Sequence, residues 1–267
     1  MNTLATYNIK GGVGKTAAAV NLAYLAARDG RRTLLWDLDP QGAASYILRV
    51  RPRVKGGGKA LVRGKRSLDQ AVKITEFDGL DLVPADFTYR NLDLVLDDAK
   101  KPTQRIARLL GPMADDYDVA ILDCPPGISL VSENVVHAAG TLLVPLIPTT
   151  LSVRTLDQLT GFVAELDQPP ALFPFFTMVD GRKRLHREVI DDLRARRDDL
   201  AATVIPALSL VEQMSVHRAP LPAFAPRSRV TRSYEDLWAE VRDRAGQDGA
   251  RSRARTARPR GAQPSRS

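Results

Sequence analysis

The residues with the clearest chemical potential lie near the N-terminus, in the stretch KGGVGKT from Lys10 to Thr16. An apolar run precedes this stretch and an amphipathic one follows it, so we expect a strand, a glycine loop and a helix in that order. The N–H groups of such a loop, at the start of a helix, can wrap the oxygens of a phosphate group. The residues expected to bind the phosphates of a nucleotide are Gly11, Gly12, Val13, Gly14, Lys15, Thr16 and Ala17.

This loop departs from the common pattern G-x-x-x-x-G-K-[ST] at its first position, where Ile9 stands in place of glycine. In the common pattern the lysine reaches the β- and γ-phosphates and the next hydroxyl coordinates Mg²⁺. Lys15 and Thr16 occupy those two positions. A phosphate loop needs only that lysine, so the pattern leaves Lys10 without a task.

Three aspartates end apolar runs: Asp37 and Asp39 in LLWDLDPQG, and Asp123 in ILDCPPG. In open α/β sheets, ligands collect outside the carboxyl ends of the strands, where all three should lie. Asp123 has the Walker-B position, in which a carboxylate holds Mg²⁺, usually through water. One such aspartate could equally cap a helix, but three beside a phosphate loop predict a magnesium-dependent nucleotide site.

Apolar runs alternate with amphipathic segments from residue 2 to about residue 210, which predicts βα units feeding a mostly parallel sheet. The predicted fold class is α/β and P-loop NTPase-like, with a mostly parallel twisted sheet, helices on both faces and a disordered basic C-terminal tail. We expect one domain over residues 1–245, because the Arg-rich residues 246–267 contain no Leu, Ile, Val, Phe or Trp to bury. The predicted strands are TLATYNI, RTLLWDLD, LDLVPA, DVAILDCPP, TLLVPLIP, LFPFFTMVD and ATVIPAL.

The net charge of +8 at pH 7 comes from two segments. Residues 49–66 form a basic loop with eight Lys or Arg and no acid, and residues 241–267 carry a net charge of +6, which leaves −6 for the rest. Basic attachments on an acidic body are typical of proteins that meet a polyanion, either nucleic acid or an anionic membrane. Alternatively, such runs only keep flexible segments solvated.

The remaining composition argues against redox and zinc chemistry. The single Cys124 allows neither an intrachain disulfide nor a cysteine metal cage, and His137, His186 and His217 are too scattered for a zinc site. The first residues lack a basic region followed by an apolar one, and no stretch approaches ~18 uninterrupted apolar residues. We therefore expect a cytoplasmic protein.

The motifs KGGVGKT, LLWDLDPQG and ILDCPPG, in this order, resemble those of the ParA/MinD family of deviant Walker-A P-loop ATPases. The resemblance covers roughly residues 1–240 and is closest to the small Soj-like ParA partitioning ATPases. It implies ATP and Mg²⁺ as ligands and a homodimer that forms on ATP binding. It also gives Lys10 a role, that of crossing the dimer interface to the phosphates of the partner's nucleotide, where a fixed cation would compensate their charge.

By the same resemblance, Asp39 positions the attacking water, Asp37 supports the Mg²⁺ shell and Pro206 keeps its place in the loop near adenine. Hydrolysis should be slow and stimulated by DNA and a partner, since no arginine finger compensates the transition-state charge. The implied catalytic residues are Lys10, Lys15 and Asp39, and the implied metal-binding residues are Thr16, Asp37 and Asp123.

The chain also departs from the family pattern. Ala17 replaces a second threonine that bonds the α-phosphate, which should weaken nucleotide binding by about 1 to 2 kcal/mol. Ala43 replaces the asparagine of DPQGNAS. The segment IPRNVRLSEAP of Soj-like proteins reads IPALSLVEQMSVHRAP here, so only Pro206 and Arg218 keep comparable places among its adenine- and DNA-contacting residues.

Members of the ParA branch bind DNA without sequence preference when dimeric, through arginines of their C-terminal half. We expect residues 49–66 and the tail to add phosphate contacts, and the scarcity of aromatics among them favours duplex backbone over single strands. The candidate DNA-binding residues are Arg182, Lys183, Arg184, Arg187, Arg218, Arg227, Arg229 and Arg232.

The resemblance implies a nucleoid-associated protein that segregates chromosome or plasmid DNA through a ParB-like or other adaptor. Two alternatives share the motifs: positioning of a protein cargo, and a nucleotide-dependent DNA-binding module with little hydrolysis. Membrane anchoring of the MinD type is not expected, because the tail has no bulky apolar residues to insert. The nitrogenase iron protein branch is excluded, because its cluster needs paired cysteines and this chain has only Cys124.

Overall fold

All seven predicted apolar runs become strands of one sheet, in a computed structural model that describes residues 1–99 and 101–256. An eighth strand of two residues, which the sequence analysis missed, joins one edge. The strands are β1 (Asn2–Thr6), β2 (Thr33–Asp37), β3 (Lys73–Ile74), β4 (Leu80–Val83), β5 (Val119–Asp123), β6 (Thr141–Leu146), β7 (Ala171–Val179) and β8 (Val204–Pro206).

Helices connect the strands. They are α1 (Lys15–Arg28), α2 (Ala43–Ile47), α3 (Gly57–Val62), α4 (Leu92–Asp97), α5 (Arg105–Leu110), α6 (Leu130–Ala138), α7 (Thr150–Ala164), α8 (Arg184–Arg196), α9 (Ser209–Glu212), α10 (Met214–His217), α11 (Leu221–Phe224) and α12 (Arg229–Thr256). No helix of the described residues is both long and apolar enough to cross a membrane.

The strand order is β3-β4-β2-β5-β1-β6-β7-β8, with β3 antiparallel to β4 and every other neighbouring pair parallel. Parallel strands need crossover helices, which cover both faces of the sheet and let the central strands be apolar throughout. The carboxyl ends of the parallel strands therefore share one edge, as the α/β prediction requires. The predicted fold class is confirmed.

Each face of the sheet has its own core. On one face, α1 and α12 pack over the central strands through side chains that include Leu22, Leu25 and Leu237. On the other face, α4 to α8 bury a second set that includes Val135 and Leu159. The glycine loop lies between β1 and α1, so the position of any bound phosphate is fixed by the central strand and by a helix buried along most of its length.

Helix α12 runs past the domain boundary predicted at residue 245 and ends at Thr256. The division of the chain into residues 1–245 and 246–267 stays a prediction. Arg, Ala and Gln favour helix, and lengthening an existing helix costs less than nucleating a new one. The expectation of disorder for residues 257–267 concerns residues outside the described part of the chain.

Residues 49–66 do not form the simple basic loop that their charges predict. Helix α3 lies within them, and the side chains of Val54, Leu61 and Val62 are buried. Gly58 makes this packing possible, because a Cβ atom there would lie 2.7 Å from Cδ1 of Tyr89. Three buried apolar side chains and a close backbone approach thus fold this segment onto the domain.

Candidate functional site

The glycine loop has the backbone conformation that phosphate binding needs. Gly12 and Gly14 have φ angles of 70° and 87°, in the left-handed region that side chains other than glycine rarely adopt. Gly14 immediately precedes α1, whose first N–H groups have no intrahelical acceptor. Gly11 and Gly12 are exposed and Val13 is buried. The loop therefore presents backbone donors at its mouth, while Val13 anchors it to the core.

The two lysines of the loop are held differently. The Lys15 side chain is 7% exposed, and its Nζ donates to the carbonyl oxygens of Lys10 at 2.8 Å and Asn8 at 3.3 Å. Burial lowers the pKa of Lys15, although Asp123 nearby opposes that effect. The Lys10 side chain is partly exposed and makes no hydrogen bond or ion pair with any group in the described ranges. Lys15 is thus directed inward, and the Lys10 ammonium is free.

Asp37 and Asp123 lie side by side at the carboxyl edge of the sheet. They are register partners on the adjacent strands β2 and β5, and neither is exposed. Burial raises the pKa of each carboxyl, and the charge of Asp37 raises the pKa of Asp123 further. Two neighbouring buried carboxylates repel each other unless a proton or a cation compensates them.

Two hydroxyls that the sequence analysis missed position these carboxylates. The Ser45 hydroxyl donates to Asp37 Oδ2 at 2.7 Å, and the Ser45 backbone N–H donates to the same atom at 2.8 Å. Thr6 Oγ1 donates to Asp123 Oδ1 at 3.2 Å. Ser45 stands in the segment DPQGAAS, a signal that was available, whereas only the strand register brings Thr6 to Asp123.

The donor set fits a divalent cation. One oxygen of each buried carboxylate, Asp37 Oδ1 and Asp123 Oδ2, has no hydrogen-bond partner, and such orphaned oxygens suit a hard cation such as Mg²⁺. In the described parts of the chain, no group of three or more His, Cys, Asp or Glu side chains is placed to hold a metal. Asp37, Asp123 and the Thr16 hydroxyl are the protein groups that would hold the ion.

Asp39 lies two residues beyond β2, in a turn of its own. Its Oδ1 accepts from the Gln41 N–H at 2.9 Å, and its carbonyl accepts from the Gly42 N–H at 2.9 Å. The side chain is partly exposed, unlike Asp37. The turn thus holds a solvent-accessible carboxylate at the same edge as the buried pair.

A buried asparagine anchors the start of the glycine loop, and the sequence analysis missed it. Asn8 Nδ2 donates to the Pro145 carbonyl at 2.8 Å, and Asn8 Oδ1 accepts from the Lys10 N–H at 2.9 Å. The Gly127 N–H donates to the Ile9 carbonyl at 2.9 Å from the other side. An asparagine at the end of an apolar strand was the only sequence signal. These bonds fix the backbone at Lys10 and leave its side chain free.

Pro206 lines a cavity that also reaches the glycine loop, and its contact with a nucleotide stays a prediction. A cavity of about 520 Å³ between α1 and the ends of β7 and β8 is lined by Gly14, Thr177, Lys183, Pro206 and Ser209 among others. This volume is within the range of small-molecule sites. Thr177, which the sequence analysis did not select, approaches the loop so closely that a Cβ on Gly14 would lie 3.2 Å from its Oγ1.

The first group of predicted DNA-binding residues lies at the start of α8. Arg182, Lys183, Arg184 and Arg187 are all exposed there. Arg182 pairs with Asp180 at 3.0 Å, and Arg184 pairs with Glu188 at 2.6 Å. Lys183 also lines the cavity beside the glycine loop. The structure brings these four together, with two of their charges already compensated.

The second group, Arg227, Arg229 and Arg232, lies at the start of α12 and is exposed. Tyr234 of the same helix lines the cavity that Lys183 also lines, whereas these three arginines do not line it. Arg218 is placed differently, because its guanidinium lies over the Tyr46 ring and donates to the Tyr46 carbonyl at 3.0 Å. Arg218 therefore makes an intramolecular contact that holds the end of α10 against α2.

Comparisons with known proteins find relatives that match most of the chain. The family model described as "AAA domain" matches residues 1–171. Sporulation initiation inhibitor protein Soj of Bacillus subtilis is 30% identical over 245 residues, which cover 89% of this chain and 97% of Soj. Chromosome partitioning protein ParA of Myxococcus xanthus is 31% identical over 248 residues, which cover 89% of this chain and 86% of that protein.

Among solved structures, cobyrinic acid a,c-diamide synthase from Mycobacterium smegmatis, with a bound ATP analog and magnesium, is 26% identical. It matches with a TM-score of 0.78 over 90% of this chain and 93% of its own. The match with Soj covers nearly the whole of both chains, and the family model covers the glycine loop and both acidic strand ends. The chain belongs to the ParA/MinD family of P-loop ATPases.

Proposed function

We propose that this protein is a Mg²⁺-dependent ATPase that dimerises on ATP binding, binds duplex DNA without sequence preference, and releases it on hydrolysis. Its role would be to segregate chromosome or plasmid DNA over the nucleoid with a ParB-like adaptor. The observation that carries the proposal is the free ammonium of Lys10 beside a loop that already contains Lys15. The partition proteins among its relatives support the cellular role.

ATP is the nucleotide that the site supports best. The loop offers N–H groups at the start of α1, and Lys15 needs only to leave two carbonyl oxygens to reach a phosphate. Asp37 and Asp123 each keep an unpartnered oxygen at the same edge. Bound Mg²⁺ would neutralise charge on the phosphate oxygens. The carboxyl pair, the hydroxyl of Thr16 and the loop would orient the nucleotide for attack at its terminal phosphate.

Asp39 is the residue proposed to orient the attacking water. Its carboxylate is partly exposed and accepts from the Gln41 N–H, and its backbone carbonyl accepts from the Gly42 N–H. Orientation alone leaves much of the transition-state charge uncompensated, so the basal rate should be slow. Lys10 from a second subunit would add a cation beside the phosphates, which links hydrolysis to dimerisation.

Lys10 distinguishes this proposal from a nucleotide site that works within one chain. The Lys10 backbone is held by its N–H bond to Asn8, and the Lys10 ammonium has no partner within residues 1–99 and 101–256. Lys15 already supplies the lysine that a phosphate loop requires. A second, unpaired cation at the mouth of the loop is useful when another subunit brings its own triphosphate within reach.

Sedimentation velocity of the full chain, with Mg²⁺ and a slowly hydrolysed ATP analogue, tests dimerisation. We expect the unmodified protein to double its mass, and Lys10→Ala to bind nucleotide but remain monomeric. Lys15→Ala should bind nucleotide at least tenfold more weakly, because it loses the free energy of about one charge-assisted hydrogen bond. Lys101→Ala removes another exposed lysine and serves as the matched control. A monomer under all conditions, or a dimer of Lys10→Ala, would refute the proposal.

Phosphate release measured with duplex DNA and the adaptor tests the enzyme. We expect a slow basal rate that both stimulate, and Asp39→Ala should abolish hydrolysis while dimerisation persists. An unmodified protein as inactive as Lys15→Ala would instead indicate a nucleotide-dependent DNA-binding module. Stimulation by a protein cargo's adaptor without any requirement for DNA would indicate the positioning ATPase.

For DNA binding, the α8 and α12 groups are the proposed contacts. Lys183 of the α8 group lines the cavity beside the glycine loop, so DNA bound by that group would lie close to the nucleotide. Replacing Lys183, Arg187, Arg229 and Arg232 by Gln should weaken binding to unrelated duplexes alike and reduce the salt dependence by roughly one unit of slope per lost phosphate contact. Unchanged binding would exclude these contacts. A nucleoid location in cells follows if the dimer binds DNA, and fluorescence microscopy of a tagged chain checks it.

A further inference from the structure

The segment 49–66 carries a second basic surface, separate from that of α8. We propose that it binds the phosphate backbone of duplex DNA, an inference that rests on the proposed function because DNA is the partner. We call this surface the α3 patch and define it by five residues: Arg51, Arg53, Lys55, Lys59 and Lys65.

The charges of the α3 patch are free. All five side chains are exposed, and none forms an ion pair with a described residue. The other basic residues of the segment are engaged: Arg49 pairs with Glu76 at 2.9 Å, Arg63 pairs with Asp98 at 3.5 Å, and Arg66 donates to the Gln70 carbonyl. Five uncompensated cations within about fifteen residues repel one another unless an anion joins them.

Hydrogen bonds hold the backbone of the α3 patch in a fixed position. A basic segment that only keeps the chain solvated has no requirement for such bonds. The Val54 N–H donates to Asp86 Oδ2 at 2.8 Å, and the Gly58 N–H donates to Thr88 Oγ1 at 2.9 Å. The Thr88 hydroxyl in turn donates to Asp86 Oδ1 at 2.6 Å. Asp86 is 7% exposed, so one buried carboxylate fixes both the start of the segment and the turn onto which α3 packs. Such a scaffold holds the cations in fixed positions and lowers the entropy lost on binding.

The patch lies on the other side of the glycine loop from the α8 group. Pro52 packs against the turn after β2, since a Cβ on Gly42 would lie 3.2 Å from it. In the sheet, β2 and β4 are on one side of β1, whereas β7 and β8, which α8 connects, are on the other. The carboxyl edge therefore carries basic residues on both sides of the nucleotide site, and the two surfaces can be tested separately.

The side chains around the patch favour a duplex over a membrane or a single strand. Val54, Leu61 and Val62 of the segment are buried and Val50 is partly buried, so the segment itself presents no fully exposed Val or Leu to a bilayer. Phe87 is the exposed aromatic residue of the adjoining turn, and the guanidinium of Arg90 covers its ring at 4.1 Å. No free aromatic platform for stacked bases is thus offered by this part of the described chain. Contact with the phosphates of a duplex needs only fixed cations.

The test compares two variants of the full chain, each lacking five positive charges. One replaces the five residues of the α3 patch by Gln. The other replaces five exposed cations elsewhere that have no ion pair in the described residues, namely Arg31, Lys73, Lys101, Arg108 and Arg154. Both are loaded with Mg²⁺ and the slowly hydrolysed ATP analogue, and both are titrated onto two unrelated duplexes over a series of salt concentrations. Vesicles with and without an anionic phospholipid provide a second arm.

For the patch variant we expect DNA binding to be at least tenfold weaker at moderate salt. The slope of the logarithm of the DNA-binding constant against the logarithm of the salt concentration should become shallower by roughly three or more. Nucleotide binding, dimerisation and thermal unfolding should be unchanged, and the control variant should bind almost as the unmodified protein does. Equal losses in the two variants, or an unchanged slope in the patch variant, would overturn the inference. Vesicle binding that depends on the patch, with DNA binding intact, would also overturn it in favour of a membrane. If the unmodified protein binds no DNA at all, the proposed function itself fails.

Discussion

Removing the Ser45 hydroxyl should weaken both the fold and the metal site. This hydroxyl donates to Asp37 Oδ2 at 2.7 Å and accepts from the Ala85 N–H at 2.9 Å, and Ser45 is fully buried. In Ser45→Ala the Ala85 N–H loses its partner, which costs about 1–3 kcal/mol, and a bond to a carboxylate worth about 1.5–3 kcal/mol is lost. The backbone N–H of residue 45 still reaches Asp37. We therefore expect the free energy of unfolding to fall by about 3 kcal/mol.

Urea unfolding followed by circular dichroism measures this change, and a Mg²⁺ titration of nucleotide binding measures the second effect. Asp37 would be less firmly oriented, so more Mg²⁺ should be needed for half-maximal nucleotide binding. Ser233→Ala is the matched control, because its hydroxyl lies on the partly exposed side of α12 and donates to the Arg229 carbonyl of its own helix. That control should stay within about 0.5 kcal/mol of the unmodified protein.

The reasoning is refuted if Ser45→Ala unfolds at the same urea concentration as Ser233→Ala. An unchanged Mg²⁺ requirement combined with the expected loss of stability would show that Ser45 supports the fold and does not orient a metal-binding carboxylate. Either result would show that the loss of stability and the higher Mg²⁺ requirement do not both follow from removing the Ser45 hydroxyl.

Three further changes have definite expected outcomes. Gly58→Ala should destabilise the fold by about 1–3 kcal/mol through overpacking, whereas Gly161→Ala, in open space on α7, should be neutral or stabilising by up to about 1 kcal/mol. Ala17→Thr should tighten ATP binding about 5- to 30-fold in calorimetry, if it restores a hydrogen bond to the α-phosphate. Hydrogen bonds from Arg32 lower the pKa of Asp118 to about 2 from 3.8. Asp118→Asn should therefore lower the free energy of unfolding by a constant amount at neutral pH. This difference from the unmodified protein should vanish as the pH falls through about 2, where the Asp118 carboxyl becomes protonated.

Each of these has a clear contrary result. Equal stability of the two glycine variants would show that the side chains packed against Gly58 can move enough to accommodate a methyl group. Unchanged affinity in Ala17→Thr would mean that another group already serves the α-phosphate. A stability difference for Asp118→Asn that persists at the lowest pH would place its cause outside the ion pair with Arg32.

The chemistry of the glycine loop and the class of fold could be predicted from the sequence, because both depend on local order. A strand, a glycine loop and a helix are consecutive, so the spacing of Gly14, Lys15 and Thr16 already determines which groups face a phosphate. Alternating apolar and amphipathic runs likewise require a parallel sheet with crossover helices. The acidic strand ends follow from the same rule, since parallel strands finish at one edge.

The tertiary structure decided how these groups are held and which charges are free. Thr6 reaches Asp123 across 117 positions of sequence, and Asn8 reaches the Pro145 carbonyl across 137. Such contacts depend on strand register, which no local pattern specifies. The basic segment 49–66 was misjudged for the same reason: its charges suggest a solvated loop, but three apolar side chains and Gly58 find a surface that only the folded chain provides. Composition states how many cations a chain has, and only packing decides which of them remain unpaired.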